Sequence, residues 1–410
     1  MEPTLRLRGI ISNLRGEGGF AFLAKARELK ENGKPVVNLS IGQPDVPTPD
    51  PVIEEAVKAL SEDKFTGYTE TPGIPEIRKA IAEYLNERYG ADVSWEEVVV
   101  TPGTKGAIFL ALSAYLDYGD EIIVPEPSYP AYPEGTKILG GKPVYVPLEW
   151  RGPSKGFGLD LEKIEETITS RTKFIVVNNP QNPTGALFSP KELEELTEIA
   201  RRHGVMILAD EIYDNFVYDD AEFESLISMP GWREWLVYTN GFSKTFSMTG
   251  WRLGYVVVRR EVARLLSKIA VSVWGCPVSF GQKAAVRALR DPDVWKWVEK
   301  LSKRYGEMRQ VLYEELSKTP GVEAYLSRGA YYLFPRIKQV EEETGLSTEE
   351  IVNYIVNNYY LIILPGGVFP DKAGKDFIRF SFATNRKAVS EGGKRFRQAI
   401  TSLLENKTRK

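Results

Sequence analysis

The chain has 410 residues, of which 42% are hydrophobic and 27% charged, a composition typical of a folded globular protein without extensive disorder. Its formal net charge of −3 gives no sequence-wide positive field to hold nucleic acid or an anionic membrane, so small molecules are the expected partners. The single cysteine, Cys276, excludes an intramolecular disulfide, and the single histidine, His203, excludes a metal site or hydrolase triad built around several histidines.

The N-terminal part of the chain shows no export signal. No apolar stretch of signal-peptide length follows Arg6 and Arg8, and the apolar runs farther along are of strand length, well below the roughly 20 residues that span a bilayer. We therefore expect a soluble, cytoplasmic protein without a membrane partner. Residues 1–49 contain one amphipathic stretch, Phe20 to Leu29, and they are too few to fold alone, so we expect them to pack on the C-terminal domain.

A helix and a series of short strands come next. Pro75 suits the first turn of a helix, apolar residues follow at helical spacing, and Gly90 closes the segment. From about residue 95 to 260, short β-rich runs alternate with helical patterns. The runs are apolar at consecutive positions, which indicates an α/β fold with a mainly parallel sheet flanked by helices. They are Val98 to Val100, Ile122 to Val124, Phe174 to Val177, Val205 to Leu208, Leu236 to Tyr238 and Tyr255 to Val258.

The C-terminal region has a different pattern. After about residue 295, a long charged helix precedes short strands around Tyr331 to Phe334, Leu361 to Leu364 and Phe377 to Phe382, as in a smaller α+β domain. The chain is also too long for one simple core. We predict a large domain over residues 50–295 and a small domain over residues 1–49 and 296–410, with a cleft between them.

Three segments that follow predicted strands carry polar groups suited to ligands. Thr101 to Ala107 leads into an apolar helix, whose N-terminal N–H groups favour an anion, although its spacing matches neither a Walker loop nor a dinucleotide fingerprint. Asn178 to Gly185 is predicted to be a turn from its composition. Asp210 lies at the carboxyl edge of the sheet, where α/β proteins bind ligands; the alternative is an N-cap or turn aspartate.

The segment Gly241 to Gly254 is the most informative. Small and hydroxyl side chains around Lys244 leave room for a cofactor ring, and Arg252 adds a planar guanidinium that binds two phosphate oxygens at once. An isolated lysine is usually an exposed loop residue, and here the flanking pattern argues against that alternative.

A second arginine lies on a C-terminal strand. In Phe377 to Phe382, strand alternation places Arg379 on the face opposite the apolar side chains. The alternative for this residue is a solvated strand arginine.

The segment around Lys244 resembles the lysine signature of class I aminotransferases, which have pyridoxal-phosphate (PLP) fold type I. The resemblance extends in order from about residue 35 to 385. The form Ser-Lys-Thr-Phe-Ser-Met-Thr-Gly-Trp-Arg is most similar to the aspartate aminotransferase-type branch. It implies a PLP cofactor, a homodimer, and amino-acid and 2-oxo-acid substrates.

The resemblance implies roles for three catalytic residues, Lys244, Asp210 and Tyr213. Lys244 binds the cofactor covalently and, once displaced by the amino acid, moves a proton between the substrate Cα and the cofactor. Asp210 faces the pyridine nitrogen and keeps it protonated, which makes the ring an electron sink. Tyr213 and Asn182 hydrogen-bond the phenolic oxygen and thereby lower the pKa of the aldimine.

Further positions take cofactor-binding or substrate-binding roles by the same resemblance. Those at the phosphate are Gly103, Thr104, Lys105, Ser243 and Arg252, together with Tyr68 from the neighbouring subunit. Tyr129 stacks on the pyridine ring, Arg379 grips the substrate α-carboxylate, and Gly42 and Asn182 lie beside that carboxylate. Many members have a serine three residues before the lysine, where this chain has Gly241, and we expect Ser243 to take over part of its role.

The implied reaction moves the amino group of an aspartate-type or aromatic amino acid to a 2-oxo acid such as 2-oxoglutarate, without a metal. A PLP-dependent lyase or decarboxylase on the same scaffold is the main alternative, because one carbanion partitions several ways. A non-catalytic PLP-binding regulator would need a basic DNA-reading module, and none precedes the core. Donor specificity stays open, since Tyr129, Trp274, Tyr331 and Tyr332 suit either an aromatic or a mixed pocket.

Overall fold

A computed structural model describes residues 8–14, 19–370 and 372–408. Arg6, from which the search for an export signal started, lies outside the described residues. Within those ranges, no helix combines the length and the apolar character needed to cross a bilayer.

The strands form one large sheet and several small ones. The large sheet has seven strands in the order β2-β10-β9-β8-β7-β3-β4, in which only β10 runs antiparallel to its neighbours. The predicted mainly parallel sheet is therefore confirmed. The strands are β1 (Val37–Asn38), β2 (Val98–Thr101), β3 (Glu121–Glu126), β4 (Lys142–Pro147), β5 (Glu149–Trp150), β6 (Phe157–Gly158), β7 (Thr172–Asn178), β8 (Met206–Asp210), β9 (Leu236–Gly241), β10 (Gly254–Val257), β11 (Tyr332–Leu333), β12 (Leu361–Ile362), β13 (Leu364–Pro365) and β14 (Ile378–Ser381).

Helices cover both faces of the large sheet and build most of the second unit. The predicted helix from Pro75 is confirmed, and Gly90 ends it with a left-handed backbone, φ 65°. The helices are α1 (Gly19–Glu31), α2 (Asp50–Ser61), α3 (Pro75–Tyr89), α4 (Thr104–Tyr115), α5 (Ala131–Leu139), α6 (Leu161–Thr167), α7 (Pro190–His203), α8 (Trp232–Trp235), α9 (Arg260–Val273), α10 (Ser279–Arg290), α11 (Pro292–Leu316), α12 (Lys338–Thr344), α13 (Thr348–Tyr359) and α14 (Arg386–Thr408).

The consecutive apolar residues of each central strand divide between two cores. In β8, Ile207 and Ala209 join the core on one face, whereas Leu208 joins the core on the other face. Successive side chains of a strand point to opposite faces, so a strand covered by helices on both sides must be apolar throughout. Each fully buried leucine or isoleucine contributes about 1.5–3 kcal/mol to folding.

A third core belongs to the C-terminal region. It packs α12, α13 and α14 against the three-stranded sheet β11-β14-β13 and takes in Leu29 and Leu39 from the N-terminal segment. Helix α11 contributes Val294 and Val298 to the core of the large sheet and Leu312 to the third core. The domain boundaries at residues 49/50 and 295/296 stay a prediction, and α11 continues across the second of them.

Candidate active site

The turns that follow the strands converge at one edge of the large sheet and line a cavity of about 440 Å³. Strands β7, β8 and β9 are parallel and end at Asn178, Asp210 and Gly241, so their carboxyl ends lie at the same edge. Two residues on strands of the C-terminal sheet, Tyr332 on β11 and Arg379 on β14, also line the cavity. The lining residues are Gly42, Thr104, Lys105, Ile108, Tyr129, Tyr132, Asn178, Asn182, Asp210, Ile212, Tyr213, Ser243, Lys244, Thr249, Arg252, Tyr332 and Arg379.

Lys244 is half-buried in a turn between β9 and β10, so it is not a solvated loop lysine. Its Nζ donates a hydrogen bond of 2.6 Å to the carbonyl oxygen of Gly42 and lies 5.9 Å from the ring centroid of Tyr213. The ammonium also acts on Asp210, because its charge lowers the pKa of that carboxyl. Lys244 thus lies within the constellation predicted for it.

Asp210 is fully buried at the end of β8. Its Oδ2 accepts a hydrogen bond of 2.7 Å from the Tyr132 hydroxyl, and its Oδ1 accepts one of 3.2 Å from the backbone N–H of Ile212. Burial raises the pKa of Asp210 to about 6, while the Tyr132 bond, the Ile212 bond and the Lys244 charge oppose that rise. The carboxyl therefore carries its charge at neutral pH, and the Tyr132 hydrogen bond stabilises this charged form.

Tyr213 and Asn182 approach the cavity from neighbouring turns. The Tyr213 hydroxyl lies 2.8 Å from the Tyr332 hydroxyl, and burial raises the pKa of Tyr213 well above its usual range. The Asn182 Oδ1 accepts a hydrogen bond of 3.0 Å from Arg379 Nη1. This contact links the asparagine predicted for the cofactor oxygen with the arginine predicted for the substrate.

The opposite end of the cavity is an anion cradle at the start of α4. Gly103 caps the helix with φ 77°, and a Cβ there would lie 2.4 Å from Arg252 Nη2, so only glycine lets the arginine come this close. Thr104 Oγ1 is buried and has no hydrogen-bond partner within the part of the chain that is described. A helix N-terminus, a guanidinium and an unsatisfied hydroxyl together suit a phosphate.

Position 241 is a glycine, where the resemblance leads one to expect a serine, and packing explains this difference. A Cβ at this position would lie 2.6 Å from Thr104 Oγ1 and 3.0 Å from the Cα of Gly254. The Thr104 hydroxyl thus occupies the space that a serine side chain would need. Ser243 lines the cavity as well, and its phosphate contact stays a prediction.

Arg379 is buried, with only 6% of its surface exposed, which contradicts the alternative of a solvated strand arginine. Its guanidinium carbon lies 4.5 Å from the ring centroid of Tyr332 and 4.8 Å from that of Phe369. Arg379 Nη2 also donates a hydrogen bond of 2.5 Å to the backbone oxygen of Ser40. The two rings and these hydrogen bonds hold the planar guanidinium in one orientation at the cavity wall.

The pocket residues fit PLP. Four cationic lining side chains, Lys105, Lys244, Arg252 and Arg379, surround a single acidic one, Asp210, among the residues that the structure describes. Such a cavity favours an anionic ligand with one basic atom, and a phosphate-bearing pyridine matches that demand. Over the same described ranges, no group of three or more His, Cys, Asp or Glu side chains is arranged to hold a metal ion.

Not every predicted residue lines the cavity of its own chain. Tyr68, predicted for the neighbouring subunit, is 96% exposed, and its role there stays a prediction; Trp274 does not line the cavity either. Tyr331 lies behind the wall, where its hydroxyl donates a hydrogen bond of 3.0 Å to the Gly42 carbonyl oxygen.

Sequence reasoning missed Tyr132, the hydrogen-bond partner of Asp210. The two residues are 78 positions apart, and the Tyr132 segment offered no pattern beyond helical spacing. Its position three residues after Tyr129, near the start of α5, was the one available signal, since both tyrosines approach the cavity from that region.

Comparisons with known proteins cover nearly the whole chain. Residues 34–395 match the family model described as aminotransferase class I and II. The chain is 44% identical to an aspartate aminotransferase of Sulfolobus acidocaldarius, over 96% of this chain and 97% of that protein. A solved aspartate aminotransferase of Thermotoga maritima is 34% identical with a TM-score of 0.88, covering 96% and 99% of the two chains. A solved aromatic aminotransferase of Pyrococcus horikoshii is 34% identical with a TM-score of 0.85, covering 92% and 99%.

Proposed function

The chain belongs to the class I and II aminotransferases, and we propose that within this family it exchanges the amino group of an acidic amino acid with a 2-oxo acid such as 2-oxoglutarate. It has PLP fold type I and is a PLP-dependent transaminase of amino acids. The observation that carries the proposal is the cavity itself, in which Lys244, Asp210 and Arg379 all line one space.

Bound PLP supplies an electron-withdrawing ring that accepts the electrons released when the substrate Cα loses its proton. Asp210 would hold the proton on the pyridine nitrogen, because its buried carboxyl is charged at neutral pH and lines the cavity. Tyr213 and Asn182 would hydrogen-bond the phenolic oxygen, and Tyr129 would stack on the ring. Thr104 and Arg252 would bind the phosphate, with the backbone of Gly103 and Lys105 and the Ser243 side chain.

Lys244 would hold the cofactor and then move the substrate proton. Its amine is tethered within the cavity and, when not bound to the cofactor, would act as the general base at the substrate Cα. The 2.6 Å bond to the Gly42 carbonyl oxygen shows that Nζ reaches the side of the cavity formed by the N-terminal segment. The Gly42 backbone and Arg379 would bracket the substrate carboxylate on that side.

The positive charges of the cavity wall support an acidic amino acid as the donor. Arg379 would take the α-carboxylate that all amino acids share, and Lys105 adds another cation to the wall of the same cavity, 5.6 Å from the Tyr129 ring centroid. A donor with a second carboxylate gains from that cation, whereas an aromatic donor does not. The aspartate aminotransferases of Sulfolobus acidocaldarius and Thermotoga maritima support the same choice.

Replacing Arg379 with lysine is expected to lower kcat/KM for every donor by about 10- to 100-fold, since a lysine keeps the charge but loses the bidentate geometry. PLP affinity should change little. The measurement is the half-reaction of the purified enzyme with aspartate, glutamate, phenylalanine or tyrosine in turn, so that the acceptor does not enter the rate.

Lys105→Met is the matched variant for this series. We expect it to slow the half-reactions of aspartate and glutamate by about 2- to 5-fold and to leave phenylalanine and tyrosine nearly unchanged, because one exposed charge pair is lost. If Arg379→Lys lost activity with acidic donors only, Arg379 would belong to the side-chain pocket instead. Faster wild-type half-reactions with the aromatic donors would contradict the acidic preference.

We propose that the enzyme is a homodimer and acts in the cytoplasm. Apolar side chains exposed on α2, on α9 and just after α9 support an interface between copies, as does Tyr68 in the loop after α2. These side chains are Ile53, Val57, Leu60, Leu265, Val271, Val273 and Val278. The single cysteine, which excludes an internal disulfide, suits a reducing compartment.

Mixing two defective variants tests whether Tyr68 serves the neighbouring subunit. Lys244→Ala and Tyr68→Ala homodimers should each have low activity. Refolding them together should restore about a quarter of the wild-type rate, because half of the dimers are mixed and each of these has one intact site. No gain over the Tyr68→Ala dimer, or active monomers in sedimentation at low concentration, would contradict the shared site.

A further inference from the structure

Tyr332 lines the cavity beside Tyr213, where the C-terminal region packs against the large sheet. Tyr332 is on β11, whereas Tyr213 follows β8 of the large sheet, and both are buried. Their hydroxyl oxygens are 2.8 Å apart, and their ring planes are 80° apart with centroids separated by 5.7 Å. This is a well-formed hydrogen bond between two phenols.

The packing around Tyr332 determines where its hydroxyl lies. One face of its ring carries the Arg379 guanidinium, whose carbon is 4.5 Å from the ring centroid. At the hydroxyl end, a Cβ on residue 42 would lie only 2.1 Å from Tyr332 Oη, so the Gly42 backbone closes over it. The Tyr332 hydroxyl is therefore held against Tyr213 by neighbours on separate segments.

The direction of the bond follows from counting protons. A phenol has one O–H to donate, and burial raises the pKa of Tyr213, so Tyr213 keeps its proton at neutral pH. In the proposed function, Tyr213 uses that O–H to donate a hydrogen bond to the phenolic oxygen of the cofactor. The 2.8 Å contact then persists as a hydrogen bond only if Tyr332 is the donor and the Tyr213 oxygen accepts.

We propose that Tyr332 is a positioning residue whose hydroxyl donates to Tyr213 and thereby strengthens the hydrogen bond that Tyr213 gives to the cofactor. The inference rests on the proposed function, in which Tyr213 contacts the cofactor oxygen. Hydrogen bonds in a chain polarise one another, so a phenol that accepts a bond becomes a better donor. Tyr332 would also connect this series of hydrogen bonds to Arg379, against which the Tyr332 ring packs.

The proposal predicts a spectroscopic effect with a definite sign. The phenolic oxygen of the cofactor bears its full negative charge only when the Lys244–cofactor linkage has lost its proton. A donor at that oxygen therefore favours the deprotonated linkage and lowers its pKa. Weakening the Tyr213 donor should raise that pKa.

The experiment is a pH titration of the absorbance of the PLP-loaded enzyme, compared among wild type, Tyr332→Phe, Tyr213→Phe and the double variant. We expect Tyr213→Phe to raise the linkage pKa by about 1 to 2 units, since a charge-assisted hydrogen bond is lost. Tyr332→Phe should raise it by a few tenths of a unit, because only the polarisation is lost. In the Tyr213→Phe background, Tyr332→Phe should have no further effect.

Tyr218→Phe is the matched control. It removes a phenol of the same buried core, whose hydroxyl donates a hydrogen bond of 2.7 Å to the Ala330 backbone oxygen, two residues before Tyr332. Its loss disturbs packing and hydrogen bonding near β11 without touching the Tyr213 hydroxyl. We expect a linkage pKa equal to that of wild type.

Two outcomes would overturn the role of Tyr332 while leaving the proposed function standing. One is a rise in Tyr213→Phe with no rise in Tyr332→Phe; the other is a Tyr332→Phe effect that persists undiminished in the Tyr213→Phe background. A wild-type enzyme that binds PLP without a titrating linkage at Lys244 would overturn both the role and the proposed function. An equal rise in Tyr218→Phe would identify a general effect of packing and would likewise contradict the proposal.

Discussion

Replacing Lys244 with alanine is expected to abolish steady turnover, because the enzyme loses both its covalent hold on the cofactor and its general base. PLP should still bind weakly, since Thr104, Arg252 and Asp210 remain in place around the cavity. The measurement is borohydride reduction followed by mass analysis of the peptide that contains residue 244. Wild type should carry the cofactor on that peptide, and the variant should carry none.

Lys105→Ala is the control for this experiment, since it removes a second lysine that lines the cavity. Its reducible linkage should persist at Lys244, whatever happens to its substrate preference. A Lys244→Ala protein that still formed a reducible linkage with PLP, in particular one mapped to Lys105, would show that the assignment of Lys244 is wrong.

Asp210→Asn should lower kcat by about 100- to 1,000-fold, comparable to the removal of other preorganised electrostatic groups. The substitution keeps the shape of the side chain but removes the buried charge that would hold the pyridine nitrogen protonated. Steady-state assays with aspartate and 2-oxoglutarate at saturating concentrations test this result. A near-normal kcat would contradict the role of Asp210 in the electron sink.

Tyr132→Phe should change the charge of Asp210 only in part, whereas Asp210→Asn removes it completely. The Tyr132 bond lowers the pKa of Asp210 against the raising effect of burial, which leaves it at about 6. Since the charged form is the active one, activity falls as the pH drops through the pKa of Asp210. Loss of the Tyr132 bond should raise that pKa and move the acidic limb of the pH–rate profile to higher pH. An unmoved acidic limb would show that Tyr132 does not act through Asp210.

Local patterns in the sequence were sufficient for the architecture and for several site residues. The consecutive apolar residues of strands such as Ile207 to Ala209 require cover on both faces, so they predict a sheet flanked by helices. Gly90 ends α3 as expected, because a left-handed backbone at a helix end favours glycine. Asp210 was identified because it follows an apolar strand at the edge where the ends of parallel strands converge. Lys244 was identified because the segment around it resembles the lysine signature of class I aminotransferases.

Only the tertiary structure decided which side chains support these residues. Tyr132 reaches Asp210 across 78 positions of sequence, and Tyr332 reaches Tyr213 across 119. Such pairs form when separate elements pack, and neither partner carries a local mark of the other. The same holds for Gly241. No neighbouring residue in the sequence shows that this position needs a glycine, but in the folded chain a Cβ there would lie 2.6 Å from Thr104 Oγ1. Periodicity and turn chemistry act over a few residues, so the sequence by itself determined the elements and the ends of the strands. The contacts that tune the charge and the hydrogen bonds at the site arise from close packing between distant segments, and for that reason they became visible only in the folded chain.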